Sequence, residues 1–143
     1  MADATEKLKC LHTDLVDARN GCEEAVKDAT DDEVIALFAR QRDLHAKAID
    51  EISAMLVRTG LAASEDGSFM GMVHRGVIGI RAAITGLRAG ALQASIDGEN
   101  RLVEKYAEAL ASPRLNPDDA AVLERQKGEL QSAINAMKQA ILS

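Results

Sequence analysis

The chain has 143 residues, a formal net charge of −6, 47% apolar residues and only 2% aromatic ones. That length fits one domain, residues 1–143, with a real core, and the core must be built from Leu, Ile, Val, Ala and Met. The acidic balance excludes a general nucleic-acid binder, which needs a basic surface for phosphate.

Two prolines in the whole chain, long Ala/Leu/Glu/Lys/Arg-rich segments and no alternating Val/Thr runs predict an all-α fold. The opening MADATEKLKC has no apolar run of the kind a signal peptide carries. A first helix, capped by Asp3 or Thr5, is expected to run to about Ala29. Its stripe is Leu8, Leu11, Leu15, Ala18, Cys22, Ala25 and Ala29, in steps of three and four. Cys10 and Cys22 would lie about 18 Å apart along this helix, too far to pair, which fits a reducing cytoplasm. His12, near the helix start, reads as surface.

The second helix begins at Asp31 or Asp32 and ends near Thr59, before Gly60. Its stripe is Ile35, Phe38, Arg42, His45, Ile49, Ile52 and Leu56, flanked by Val34, Gln41 and Met55. The short connection makes the first two helices antiparallel neighbours. Ser68 to Gly90 then reads as a crossover helix with an apolar face at Phe69, Met72, Val73, Val77, Ile80, Ile84 and Leu87. It carries His74, Arg75, Arg81 and Arg88, which excludes a transmembrane span. Phe69, Met72, His74, Arg75 and Arg81 form a candidate interaction surface.

A third long helix presents Leu92, Ile96, Glu99, Val103, Tyr106 and Leu110 and stops at Ser112-Pro113. Asn116-Pro117-Asp118-Asp119 starts the last helix, with an N-cap, proline at the first helical position and first-turn acids. Its stripe is Ala120, Leu123, Lys127, Leu130, Ile134, Met137 and Ile141. The two halves form a weak internal repeat, in which Asn20-Gly21-Cys22 matches Asp97-Gly98-Glu99. Two antiparallel hairpins joined by a crossover with a short fifth helix give an up-down-down-up bundle of the ferritin-like kind.

The chain resembles the bacterial ferritin-like four-helix-bundle proteins classed only as a domain of unknown function. The resemblance covers nearly the whole chain. It rests on Asn20-Gly21-Cys22-Glu23-Glu24, Ala36-Leu37-Phe38 with Gln41-Arg42, Phe69-(x4)-His74-Arg75-Gly76 with Ile84-Thr85-Gly86, and Gly98-Glu99 with Tyr106. Asn20 and Cys22 depart from the family's usual Asp-Gly-Glu. The resemblance implies the fold and a role in bacterial stress physiology, and no activity.

A ferritin-type di-iron centre needs a Glu on each of two helices and Glu-x-x-His on each of the others. Here Arg42 stands three residues before His45, and the last helix has no such pair, so no metal site of that type is expected. His45 lies on the apolar stripe, which reads as a core histidine held by a hydrogen bond rather than a phosphotransfer group. Glu99 sits between Ile96 and Val103, where a charge is costly unless paired; counting outward from the hairpin loop makes Lys127 its expected partner. Cys22 reads as a small buried hydrophobe, and Tyr106 as a ring in the core with its hydroxyl on a polar partner. Glu99, Lys127, His45, Tyr106 and Cys22 are thus the candidate buried polar cluster.

These features describe a cytoplasmic, non-enzymatic bundle with no catalytic residue and no cofactor. It is expected to act by self-association, with a dimer favoured, or by binding another protein; neither nucleic acid nor membrane is a partner. A metal-binding or redox bundle using His45, Glu99 and Tyr106 is the alternative. Phosphotransfer through His45 ranks third.

Overall fold

A computed structural model describes residues 4–58 and 88–142 of the chain. Four long helices account for nearly all of them: α1 Ala4–Asp28, α2 Asp32–Arg58, α3 Arg88–Leu110 and α4 Pro117–Leu142. No strand occurs among the described residues, and no described helix is long and apolar enough to cross a membrane.

The helix starts follow from local chemistry. Asp31 Oδ1 accepts from the backbone N–H groups of Glu33 and Val34, at 2.9 and 3.1 Å, while its carbonyl takes the Ile35 N–H. That satisfies donors which a helix start otherwise leaves open. Asn116 does the same for α4, accepting the Asp118 N–H at 2.7 Å, with Pro117 at the first helical position. The expected break at Gly90 does not occur. It lies inside α3, which begins at Arg88. The rest of the expected crossover helix, with Phe69, Met72, His74, Arg75 and Arg81, lies outside the described residues.

The helices pack in a ring, α1 against α2 and α3, and α4 against α3 and α2. Cross-bundle pairs fix the directions. Arg58 meets Asp119, Glu51 meets Arg125 and Gln41 meets Met137, so α2 and α4 are antiparallel. Gln41 meets Ser95 and His45 meets Glu99, so the diagonal pair α2 and α3 runs the same way.

The core is one cluster drawn from all four helices, with Phe38, Leu11, Ile49, Ile52, Leu92, Leu123 and Tyr106 among its fully enclosed side chains. At several places the buried residue is a neighbour of the one expected. Gln41 is buried and Arg42 only half so; Leu102 is buried ahead of Val103, and Gln126 ahead of Lys127. Each of these alternatives fits a spacing of three and four, and burial falls on the uncharged or larger side chain. His12 is also not on the surface. It is 2% exposed, with Nε2 3.0 Å from Ser53 Oγ.

Candidate functional site

Among the described residues, six polar or charged ones are buried: His12, Gln41, His45, Ser95, Glu99 and Gln126. Four of them, with Cys22, form two adjoining layers across the middle of the bundle. In the first layer Gln41 is the hub. Its Oε1 accepts from the Ser95 hydroxyl at 3.0 Å and from the Cys22 thiol at 3.7 Å, and its amide N–H donates to Met137 Sδ at 3.0 Å. One α2 side chain thereby touches α1, α3 and α4, and a buried amide finds partners for both ends.

One helical turn along α2, His45 and Glu99 face each other with Nε2 and Oε1 2.9 Å apart, a ring N–H donating to a carboxylate. The side chains are 3% and 5% exposed. The other carboxylate oxygen, Oε2, is buried with no hydrogen-bond partner among the described residues. Cys22 closes the group: one ligand atom from each of Cys22, His45 and Glu99 lies within 4.8 Å of the others. Burial pushes the Cys22 thiol well above its ordinary pKa, and the Glu99 charge pushes it further. The Arg42 charge opposes this only in part, so the thiol keeps its proton at neutral pH.

Beside this group a cavity of about 330 Å³ opens between α1 and α3, with Cys22, Ser95 and Glu99 in its lining. Ala18, Gly21, Ala94 and Gly98 line it as well, and their small side chains leave space between the helices unfilled. Charged side chains complete it: Asp14, Asp17, Arg101 and Lys105. Asp17 Oδ1 is a second buried oxygen with no hydrogen-bond partner among the described residues. Burial and the neighbouring Asp14 push the Asp17 carboxyl up to about 6; burial likewise raises Asp14, which Lys105 partly opposes.

Further along the core, the Tyr106 hydroxyl donates to Gln126 Oε1 at 2.9 Å, and Gln126 donates to Glu51 Oε1 at 3.1 Å. Arg125 also donates to Glu51. Burial first, and then the charges of Glu99, Glu51 and Glu129, raise the Tyr106 pKa well above the ordinary phenol value.

Of the residues expected to cluster, Cys22, His45 and Glu99 come together, and Tyr106 lies in the adjoining Gln126 network. Lys127 is half-buried, and the partner of Glu99 is His45 rather than the expected Lys127. The hairpin count placed the partner on α4, whereas the core brings in α2 from across the diagonal. Gln126, Ser95 and Asp17 were not expected. Ser95 shares the helix face of Glu99 at a spacing of four, and Gln126 fits between Leu123 and Leu130 as well as Lys127 does, so a signal existed for both. Asp17 carried none, because its burial depends on α3.

The model of the family described as a domain of unknown function (DUF2383) matches residues 3–112, so the chain belongs to that family. No curated protein and no solved structure matches the chain. The matched residues include Cys22, His45 and Glu99 and the whole wall of the α1–α3 cavity.

Proposed function

We propose that this member of the DUF2383 family is a metal-binding bundle of the ferritin-like kind that holds one divalent transition-metal ion on Cys22, His45 and Glu99. The ferritin-like assignment is supported by the helix directions, in which α2 and α3 are parallel across the diagonal and every adjacent pair whose direction is fixed is antiparallel. The metal assignment rests on one observation: a sulfur, an imidazole nitrogen and a carboxylate oxygen converge from three helices in the buried core, within 4.8 Å of one another.

The chemistry of the set supports the choice of ion. Thiolate and imidazole favour Zn²⁺, Co²⁺ or Fe²⁺ over Mg²⁺ and Ca²⁺, which prefer oxygen. A thiolate and a carboxylate together balance a divalent charge, so the loaded site is neutral where an isolated carboxylate is expensive. An ion here would displace the thiol proton, would be bound by a neutral His45 imidazole whose ring proton sits on the nitrogen away from the ion, and would give Glu99 Oε2 a partner. The repeat that equates Cys22 with Glu99 supports the same site, since two equivalent positions supply two of its ligands. With one histidine and one carboxylate, the group suits a single ion rather than a ferritin-type pair.

Cobalt titration of the metal-free full chain, carrying Cys10→Ser to remove the exposed thiol, tests this. One equivalent should bind with a thiolate-to-cobalt charge-transfer band that vanishes in Cys22→Ser. Absence of the band, or its survival in Cys22→Ser, refutes the assignment.

A further inference from the structure

On that metal assignment, we propose that a fourth protein ligand, the Gln41 amide oxygen, closes the site. Cys22, Gln41, His45 and Glu99 then enclose the ion as a structural centre with no position left for an exogenous ligand. Three observations lead there. First, Gln41 and His45 stand four residues apart on α2 and are 1% and 2% exposed. That spacing puts two side chains on one helix face, and it is the spacing at which one helix can supply two ligands to a single metal. Ser95 and Glu99 repeat it on α3 and pair with Gln41 and His45 in turn. The Cys22 sulfur, from α1, meets both layers: it contacts Gln41 Oε1 and lies within 4.8 Å of the His45 and Glu99 ligand atoms.

Second, the atoms are the right distance apart. Cys22 Sγ and Gln41 Oε1 are separated by 3.7 Å. With a metal–sulfur bond of about 2.3 Å and a metal–oxygen bond of about 2.1 Å, tetrahedral geometry sets sulfur and oxygen about 3.6 Å apart. The same geometry sets a nitrogen and an oxygen ligand about 3.4 Å apart. His45 Nε2 and Glu99 Oε1, now at 2.9 Å, therefore part by about half an ångström when the ion replaces their hydrogen bond.

Third, the amide is oriented for the role and has a lone pair for it. Met137 Sδ carries no proton and can only accept, so the amide end beside it at 3.0 Å is the N–H, and the oxygen turns to Ser95 and Cys22. A carbonyl oxygen has two lone pairs. In the metal-free protein the Ser95 hydroxyl takes one at 3.0 Å and the Cys22 S–H takes the other. An ion that displaces the thiol proton takes over that second lone pair. Ser95 keeps the first, as a supporting hydrogen bond that orients the ligand. The amide is neutral, so thiolate and carboxylate still balance a divalent charge. Four protein ligands is also the count of closed structural zinc sites, whereas sites that keep a place for water or substrate have three.

The test uses the full chain carrying Cys10→Ser, loaded with cobalt, and azide as a small exogenous ligand. The d–d spectrum of this parent should ignore azide. Gln41→Ala should bind cobalt about tenfold more weakly or worse, since even a supporting partner costs that much, and its spectrum should shift as azide enters the vacated position. Gln41→Glu offers a carboxylate oxygen at the same reach, so it should restore the affinity and the indifference to azide, with altered d–d bands. A parent that takes azide while keeping its cobalt overturns the closed site. So does Gln41→Ala with the affinity and spectrum of the parent. Weaker binding in Gln41→Ala with no azide response makes Gln41 a support and overturns it as a ligand. If Gln41→Ala does not fold, d–d bands left unchanged in Gln41→Glu overturn the ligand by themselves. A parent without the thiolate-to-cobalt band is a different result and sinks the metal assignment itself.

Discussion

Replacing His45 with leucine in metal-free protein should be among the most damaging single changes available. Glu99 is 4% exposed, His45 is its hydrogen-bond partner at 2.9 Å, and its second oxygen already has none. Removing one member of a buried pair typically costs about 3–5 kcal/mol, because the other charge stays behind uncompensated. Against a total stability of about 5–15 kcal/mol, that should move the urea midpoint far to lower concentration. Glu99→Leu alone leaves one ring N–H without its acceptor and should cost less. The double replacement His45→Leu/Glu99→Leu should recover most of the loss. Urea unfolding of the four proteins, with a chelator present, gives the coupling energy directly. A coupling below about 0.5 kcal/mol means the two side chains do not act as a pair. The parallel cycle of Glu99 with Lys127 should show no coupling, and a coupling above 1 kcal/mol there would restore the partner that the hairpin count suggests.

Three further outcomes follow from the same coordinates. Asp17→Asn should stabilise the protein at pH 7. Its carboxyl is pushed up to about 6 in the fold, so ionisation opposes folding as pH rises through roughly 4 to 6, and the gain should vanish below about pH 4; solvent screening of this half-exposed group keeps it near 1 kcal/mol. Tyr106 is the sole tyrosine in a chain without tryptophan, so ultraviolet difference absorbance reports it alone. Because its folded pKa is raised, phenolate should appear only above its usual value near 10, together with alkaline unfolding; a reversible titration at 10 in folded protein contradicts its burial against Gln126. Gln41→Ala should cost about 1–3 kcal/mol in thermal or urea melts, by leaving Ser95 and Cys22 without their acceptor, whereas a neutral result would show that the hub is dispensable.

The sequence alone determined the four helices and most of their ends, because these depend on contacts within a turn or two. Asp31 and Asn116 are read as caps by their chemistry, and the side chains of both accept backbone N–H groups at helix starts. It also determined that Cys22, His45, Glu99 and Tyr106 face the core, since a spacing of three and four points them there. Tertiary structure decided what the periodicity leaves degenerate. Between Phe38 and His45 either Gln41 or Arg42 completes the stripe, and between Leu123 and Leu130 either Gln126 or Lys127 does. In both places the fold buries the glutamine, because an amide can be satisfied by neighbours on other helices while an isolated cation cannot. The partner of Glu99 was likewise beyond reach of a hairpin count, for His45 arrives across the diagonal from a parallel helix. The cavity beside it is lined by Ala18 and Gly21 of one helix and by Ala94 and Gly98 of another. Small residues far apart in the chain make a space only when packing sets them face to face.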